Sequence, residues 1–227
     1  MKSSLSRRIA AEFLGTGFLV AAVVGSGIMG ERLAGGIVAI ALLANTIATG
    51  AALAALILAL RPISGAHLNP VVSMAEALRG GFAWTEAWLY ITAQICGGIA
   101  GTACADIMFA LPAFSISHRV RTGAPQWFSE FVATFGLLLV IRTVARFSPD
   151  SLPFAVAAYI VAAYWFTAST SFANPAVAIA RSLSDTFAGI RPMDVPAFLA
   201  AQLAGGISAV FVSEWLVFRS SDARIEP

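Results

Sequence analysis

Phe172-Ala173-Asn174-Pro175-Ala176-Val177-Ala178-Ile179-Ala180 lies inside a run with no charged residue from Ser151 to Ala180. Asn-Pro starts helices and does not continue them. The Asn side-chain oxygen accepts an orphan backbone N–H of the first helical turn, and Pro suits the first helical position, where its missing N–H costs nothing. A second Asn-Pro stands in Ser64-Gly65-Ala66-His67-Leu68-Asn69-Pro70-Val71, at the end of another apolar run. What these two starts are doing inside apolar sequence decides the fold.

The chain has 227 residues, of which 59% are hydrophobic and only 11% charged. Soluble domains carry about a quarter charged residues, so the composition argues against a soluble fold. Long uncharged runs cover Phe13–Gly30, Leu33–Leu60, Ala87–Ala105, Ser151–Ala180 and Val195–Ser213, with a shorter one at Phe131–Ile141. A spanning helix needs about 20 mostly apolar residues, which predicts six spans. A transmembrane β-barrel would show short alternating segments instead. The expected class is an all-α polytopic membrane protein forming one domain over residues 1–227. Lys2, Arg7 and Arg8 ahead of apolar residues resemble a signal peptide. Glu12 inside the segment and the long run after it favour a retained first helix. Cys96 and Cys104 would lie about 12 Å apart on one helix, too far for a disulfide, and read as small apolar packing residues. Nothing in the sequence points to nucleic acid, a cofactor or a metal.

Three segments recur in order, each just over a hundred residues on. Ala11-Glu12-Phe13 is echoed by Ser129-Glu130-Phe131. His67-Leu68-Asn69-Pro70-Val71 is echoed by Phe172-Ala173-Asn174-Pro175-Ala176. Ala93-Gln94-Ile95-Cys96-Gly97-Gly98 is echoed by Ala201-Gln202-Leu203-Ala204-Gly205-Gly206. The chain thus reads as two versions of one unit, about 1–115 and 120–227. Three spans per unit make the repeat inverted, an architecture of channels and transporters. With cytoplasmic termini, that side holds Lys2, Arg7, Arg8, Arg61, Arg79, Arg142, Arg146, Arg219 and Arg224. The opposite side holds Arg32, Arg119, Arg121, Arg181 and Arg191. Nine against five favours this orientation, in the plasma (inner) membrane.

Each Asn-Pro then opens a helix of about ten residues, to about Arg79 and about Ser182. That is about 15 Å of rise, half the hydrocarbon core. Two re-entrant half-helices meeting at the midplane make a composite seventh span. Irregular backbone at that depth is tolerated only when buried in protein or facing a hydrated path. The carbonyls of Ser64–Leu68 and Thr170–Ala173 need such a path. Two positive helix ends aim at one spot, and the amide hydrogens of Asn69 and Asn174 remain as donors to a passing solute. Two unrelated N-caps would leave the same residues, but their matched positions favour the paired arrangement.

In Ala11-Glu12-Phe13-Leu14-Gly15-Thr16, Ser64-Gly65-Ala66-His67-Leu68-Asn69-Pro70, Ala93-Gln94 and Asn174-Pro175-Ala176 the sequence resembles the major intrinsic protein family, the aquaporins and aquaglyceroporins. The resemblance spans nearly the whole chain. It implies six full helices, two half-helices and a homotetramer in membrane lipid with a pore in each protomer. It further implies that Glu12 and Glu130 accept hydrogen bonds from the re-entrant loops, and that His67 braces the first loop. Proton relay by the glutamates and pH gating by the histidine are the competing readings.

The first motif departs from the family as Asn-Pro-Val. Val71 is expected where the half-helices touch, and to loosen or shift that contact. Counting from the two Asn residues, the family's four filter positions fall on Thr49, Ala162, Ser171 and Val177. Water-selective members place an aromatic residue, a histidine and an arginine in this ring, and glycerol-conducting members keep the arginine. Here the ring is wide, lacks a cationic barrier and keeps the hydroxyls of Thr49 and Ser171. It suits a bulky neutral polyol-like molecule, such as glycerol, urea or arsenous acid. The whole pattern resembles aquaglyceroporins of bacterial arsenic-resistance operons, implying passage of arsenous acid (arsenite) and small methylated arsenicals.

A water-selective channel, or a general glycerol facilitator with no arsenic role, is the nearest alternative. An ion-coupled transporter also uses broken helices but needs a midplane ion site, for which only Glu12 and Glu130 offer themselves. An enzyme lacks a nucleophile–base or metal-ligand set, His67 and His118 being the only histidines.

Overall fold

The computed structural model describes residues 3–218. Lys2, Arg219 and Arg224, which entered the charge argument, lie outside the described residues. Eight α-helices follow one another: α1 (Leu5–Leu33), α2 (Val38–Ser64), α3 (Pro70–Leu78), α4 (Trp84–Met108), α5 (Ala124–Phe147), α6 (Leu152–Phe166), α7 (Pro175–Arg181) and α8 (Val195–Ser213). Short 3-10 turns at Pro149–Ser151 and Pro192–Asp194 lead into α6 and α8, and a π-helical turn at Glu214–Phe218 follows α8.

Five of these helices are long and apolar enough to cross a membrane. The sixth crossing element, α6, has 15 residues, about 22 Å of rise, and its 3-10 lead-in lengthens it. Their outward faces carry exposed apolar side chains, among them Leu14, Phe18, Ile47, Phe128 and Phe211. In water such a surface would be a large unpaired hydrophobic patch. In lipid it is the expected exterior. The protein is a multi-pass helical membrane protein. The long uncharged run from Ser151 holds α6, an irregular segment and α7 in succession.

Two helix pairs form the frame, α1 with α4 and α5 with α8. Glycines set both crossings. A Cβ on Gly97 would fall on the Phe13 carbonyl, one on Gly101 on the Gly17 carbonyl, and one on Gly205 on the Phe131 carbonyl. Without a side chain at these points the backbones come into contact, which drives helix association where no hydrophobic effect between helices operates. The two short helices fill the space between the pairs. α3 packs on α4 and α8, and α7 on α4, α8 and α1.

Val71 does not sit loosely between the half-helices. It is buried and turned towards α8, where a Cβ on Gly206 would collide with its Cγ1. The added bulk of valine is absorbed by a glycine on the facing helix. On the other half-helix, Gly98 of α4 faces the Ala180 side chain and the Ala176 carbonyl of α7. Cys96 and Cys104 are free and exposed on α4, so they are not packing residues within the chain.

The charged residues gather at two ends. At one, Arg8 pairs with Glu86 at 2.8 Å, Arg142 with Glu214 at 2.6 Å, and Arg79 lies 3.7 Å from both Glu76 and Glu214. At the other, Arg119 pairs with Glu31 and Arg191 with Asp194. There the segment 115–119 is strapped across the chain after α7. Ser115 and Ser117 donate backbone N–H groups to Leu183 and Ser182, and His118 donates its own to Asp185. That backbone donor and the His118 ring hold the Asp185 carboxyl below the usual carboxylate range.

Replacing Gly205 with isoleucine forces α5 and α8 apart and is expected to cost about 1–3 kcal/mol or more, the usual range for overpacking. The exposed Cys96→Ala should stay within about 0.5 kcal/mol. Thermal melting of the detergent-solubilised protein separates the two. Equal melting temperatures would remove Gly205 from the crossing.

Candidate functional site

The site is where the N-termini of α3 and α7 meet. Asn69 caps α3, its Oδ1 accepting the Val71 N–H at 2.9 Å, and Asn174 caps α7, accepting from Ala176 at 3.0 Å and Val177 at 3.3 Å. The amide nitrogens then cross over. Asn69 Nδ2 donates to the Ala173 carbonyl at 2.7 Å, and Asn174 Nδ2 donates to the Leu68 carbonyl at 2.7 Å. Each amide carries two N–H donors, so this reciprocal pair consumes one and leaves one. Sequence reasoning had left both to the solute. Half of that donor capacity instead ties the two half-helices together.

The segments leading into the two Asn residues are held in an unusual backbone. Ala66 and Leu68 in the first, and Thr170, Ser171 and Ala173 in the second, all have φ between 48° and 60°. Left-handed conformation at a residue other than glycine costs on the order of 1 kcal/mol each and persists only where surroundings enforce it. Two carboxylates enforce it. Glu12 accepts from the Ser64 hydroxyl (2.7 Å), His67 N–H (3.0 Å), Leu68 N–H (2.7 Å) and the Gln94 amide (2.8 Å). Glu130 accepts from Phe172 N–H (2.9 Å), Ala173 N–H (2.9 Å) and the Gln202 amide (2.6 Å). Both glutamates are fully buried. Sequence reasoning assigned no role to Gln94 and Gln202, although the repeated Ala-Gln pair marked them. His67 Nδ1 lies 3.0 Å from the Ser73 hydroxyl, and its ring meets Phe82 and Tyr90 edge-on at 5.3 Å each.

With the N–H groups turned back to the carboxylates, the carbonyls of Ala66, His67, Ser171 and Phe172 accept no hydrogen bond from any described residue. The same residues line a cavity of about 310 Å³ that passes between the two Asn caps. One end carries Arg61, Glu76 and Arg79. The other carries Thr49, Tyr164, Ser171, Val177 and Arg181. The ends lie on opposite sides of the caps because α3 and α7 run apart from their joined N-termini. The walls between are aliphatic, from Leu19, Val23, Leu53, Ile57, Leu137 and Ile160. The conduit thus has an apolar side and a ladder of backbone acceptors.

Of the four predicted filter residues, Thr49, Ser171 and Val177 share this cavity and Ala162 does not. Ala162 is exposed on the outer face of α6. The inward stripe of α6 is Val156, Ile160 and Tyr164, spaced by four, which puts 162 on the far side of the helix. Counting back from Asn174 assumes a fixed length for the turn after α6 and fails here. Tyr164 stands in the cavity wall instead, its hydroxyl donating to Thr49 Oγ1 at 3.3 Å. The Ser171 hydroxyl is buried with no hydrogen-bond partner among the described residues.

One residue that entered the sequence reasoning only in the charge count belongs here. Arg181, one helical turn beyond Val177, is 2% exposed, lines the cavity and lies over the Phe172 ring with 3.4 Å between Cζ and the ring centroid. Its Nε donates to the Ala188 carbonyl. The spacing of four from Val177 was the available signal, because both must share a face of α7.

A helical membrane protein whose two half-helices meet cap to cap at a carbonyl-lined conduit has the construction of a membrane pore. Residues 1–150 match the major intrinsic protein family. The chain is 55% identical over 213 residues to the aquaglyceroporin AqpS of Rhizobium meliloti (strain 1021), covering 94% of this chain and 91% of that protein. It is 34% identical over 145 residues to the aquaporin NIP3-1 of Oryza sativa subsp. japonica, covering 63% of this chain and 46% of that protein. In fold it superposes on the aquaglyceroporin of Plasmodium falciparum with a TM-score of 0.77 at 24% identity, over 97% of this chain and 100% of that one. The chain belongs to the major intrinsic protein family.

Glu130→Ala strands three buried donors, at about 1–3 kcal/mol each. The variant is expected to reach the membrane in greatly reduced yield and to melt far below the wild type. Glu31→Ala, which removes an exposed ion pair, should lose at most about 1 kcal/mol. A Glu130 variant that melts like the wild type would show that the second loop does not hang on this carboxylate.

Proposed function

We propose that the protein is a passive channel for small neutral solutes, with glycerol and arsenous acid as its main cargo and small methylated arsenicals, urea and water as further ones. The observation that carries this reading is the ring of Thr49, Ser171 and Val177 on one continuous conduit. Arginine at the last position would supply a rigid fork of donors and a fixed charge. Valine supplies neither, so the constriction is wide on that side. The Ser171 hydroxyl and the loop carbonyls offer partners to a molecule with several hydroxyl groups, and the aliphatic wall accepts its other face. Arsenous acid and glycerol share that chemistry.

The rest of the reading follows the sequence. The two units, about 1–115 and 120–227, form an inverted repeat within one channel domain, each giving one half-helix, one glutamate and one Ala-Gln pair. The termini are cytoplasmic, the membrane is the inner one, and four protomers associate with a pore in each. No covalent chemistry is performed on the solute.

The reading is tested by stopped-flow flux of water, glycerol, urea and arsenous acid, measured side by side in proteoliposomes. Glycerol and arsenous acid are expected to cross well above the lipid background. Flux of water alone would replace this reading with a water-selective channel. Glycerol flux without arsenous acid would leave a general glycerol facilitator. Val177→Arg narrows the ring and is expected to reduce glycerol and arsenous acid flux several-fold while reducing water flux less. Unchanged flux of both larger solutes would remove Val177 from the constriction.

A further inference from the structure

A wide ring without arginine raises a problem for any membrane pore, which must not leak protons or cations. Val177 cannot repel them. We propose that Arg181 is the specificity-determining residue that excludes cations and protons from this conduit, one helical turn outward of the ring. The proposal rests on the neutral-solute channel reading.

Three observations carry it. Arg181 follows Val177 by four residues on α7, so the two share a helix face, and both line the same cavity. Its side chain is fixed, with Nε on the Ala188 carbonyl and the guanidinium plane against Phe172. The two Nη groups make no hydrogen bond to any described residue, although the residue is 2% exposed. A buried guanidinium with idle donors on a cavity wall is aimed at whatever occupies the cavity.

The guanidinium also has no direct ion-pair partner: no carboxylate among the described residues forms an ion pair with Arg181 or Arg121. The oxygens of Glu130 are occupied by the second loop and Gln202. Arg121 adds a second guanidinium 5.0 Å from the same Phe172 ring, and its own donors go to the carbonyls of Gly189 and Ser169 and to the Thr170 hydroxyl. Two positive charges therefore flank one aromatic ring at one end of the conduit. Charges lining a narrow pore act through a low dielectric and are screened weakly. This arrangement separates two tasks at two levels. Thr49, Ser171 and Val177 set the width, and Arg181 sets the charge. A wide neutral solute passes the first level and can hydrogen-bond the idle Nη donors at the second, while a cation meets repulsion.

The test compares wild type, Arg181→Gln, Arg181→Met and Arg181→Lys in proteoliposomes. Glycerol flux is read by light scattering. Proton leak is read with an entrapped pH dye under a potassium and valinomycin clamp. Wild type should conduct glycerol with a proton leak at the level of empty liposomes. Scaled to their own glycerol flux, the Gln and Met variants should leak protons at least about tenfold faster than wild type, and Lys should stay tight. Wild-type leak above the lipid background overturns the proposal without any variant. So do Gln and Met variants that conduct glycerol and remain tight, and so does loss of assembly in all three variants, which would make Arg181 a structural brace. Absence of wild-type glycerol flux sinks the channel reading instead.

Discussion

Two buried carboxylates hold this molecule open. Glu12 and Glu130 take the backbone N–H groups of the segments before Asn69 and Asn174. With these N–H groups turned to the carboxylates, the neighbouring carbonyls face the other way, and five residues there accept left-handed backbone. An ionised carboxylate is costly inside a membrane protein unless its lone pairs are filled. Here they are filled by the loops, by Ser64 and by Gln94 and Gln202. Neither partner is stable in this environment alone. The loops need acceptors for their N–H groups, and the glutamates need donors. The conduit is what that mutual requirement leaves between the half-helices.

The Asn residues extend the same logic across the midplane. Each caps its own helix with oxygen and grips the opposite loop with nitrogen. The two half-helices are thereby registered to each other, and the frame of glycine crossings holds them from outside. The side chains along the conduit are thereby mounted on a rigid backbone.

Much of this was legible in the sequence because the governing signals are local. An Asn-Pro pair announces a helix start wherever it stands, and uncharged run length announces a span. The repeated Glu, Asn-Pro and Ala-Gln segments marked the carboxylate, the cap and the brace together, although the role of Gln94 and Gln202 emerged only from their distance to the glutamates. What escaped depends on spatial relations that no count along the chain contains. Ala162 was misplaced because the length of the turn after α6 decides which residues of that helix face inward, and Tyr164 holds the place. Val71 was expected to disturb the half-helix contact, but the glycine that accommodates it is on α8, far along the chain. Arg181 entered only the charge count that orients the chain, and only the fold shows its guanidinium over Phe172.

The central claim is that the conduit is passive, with its carboxylates committed to structure and none free to carry a coupling ion. It is tested most directly by glycerol uptake into proteoliposomes under an imposed proton or sodium gradient, with and without ionophores that collapse it. A passive channel conducts at the same rate in every condition and equilibrates glycerol without accumulating it. Accumulation above the external concentration, or a rate that follows the ion gradient, would contradict the account and return Glu12 and Glu130 to the role of coupling sites.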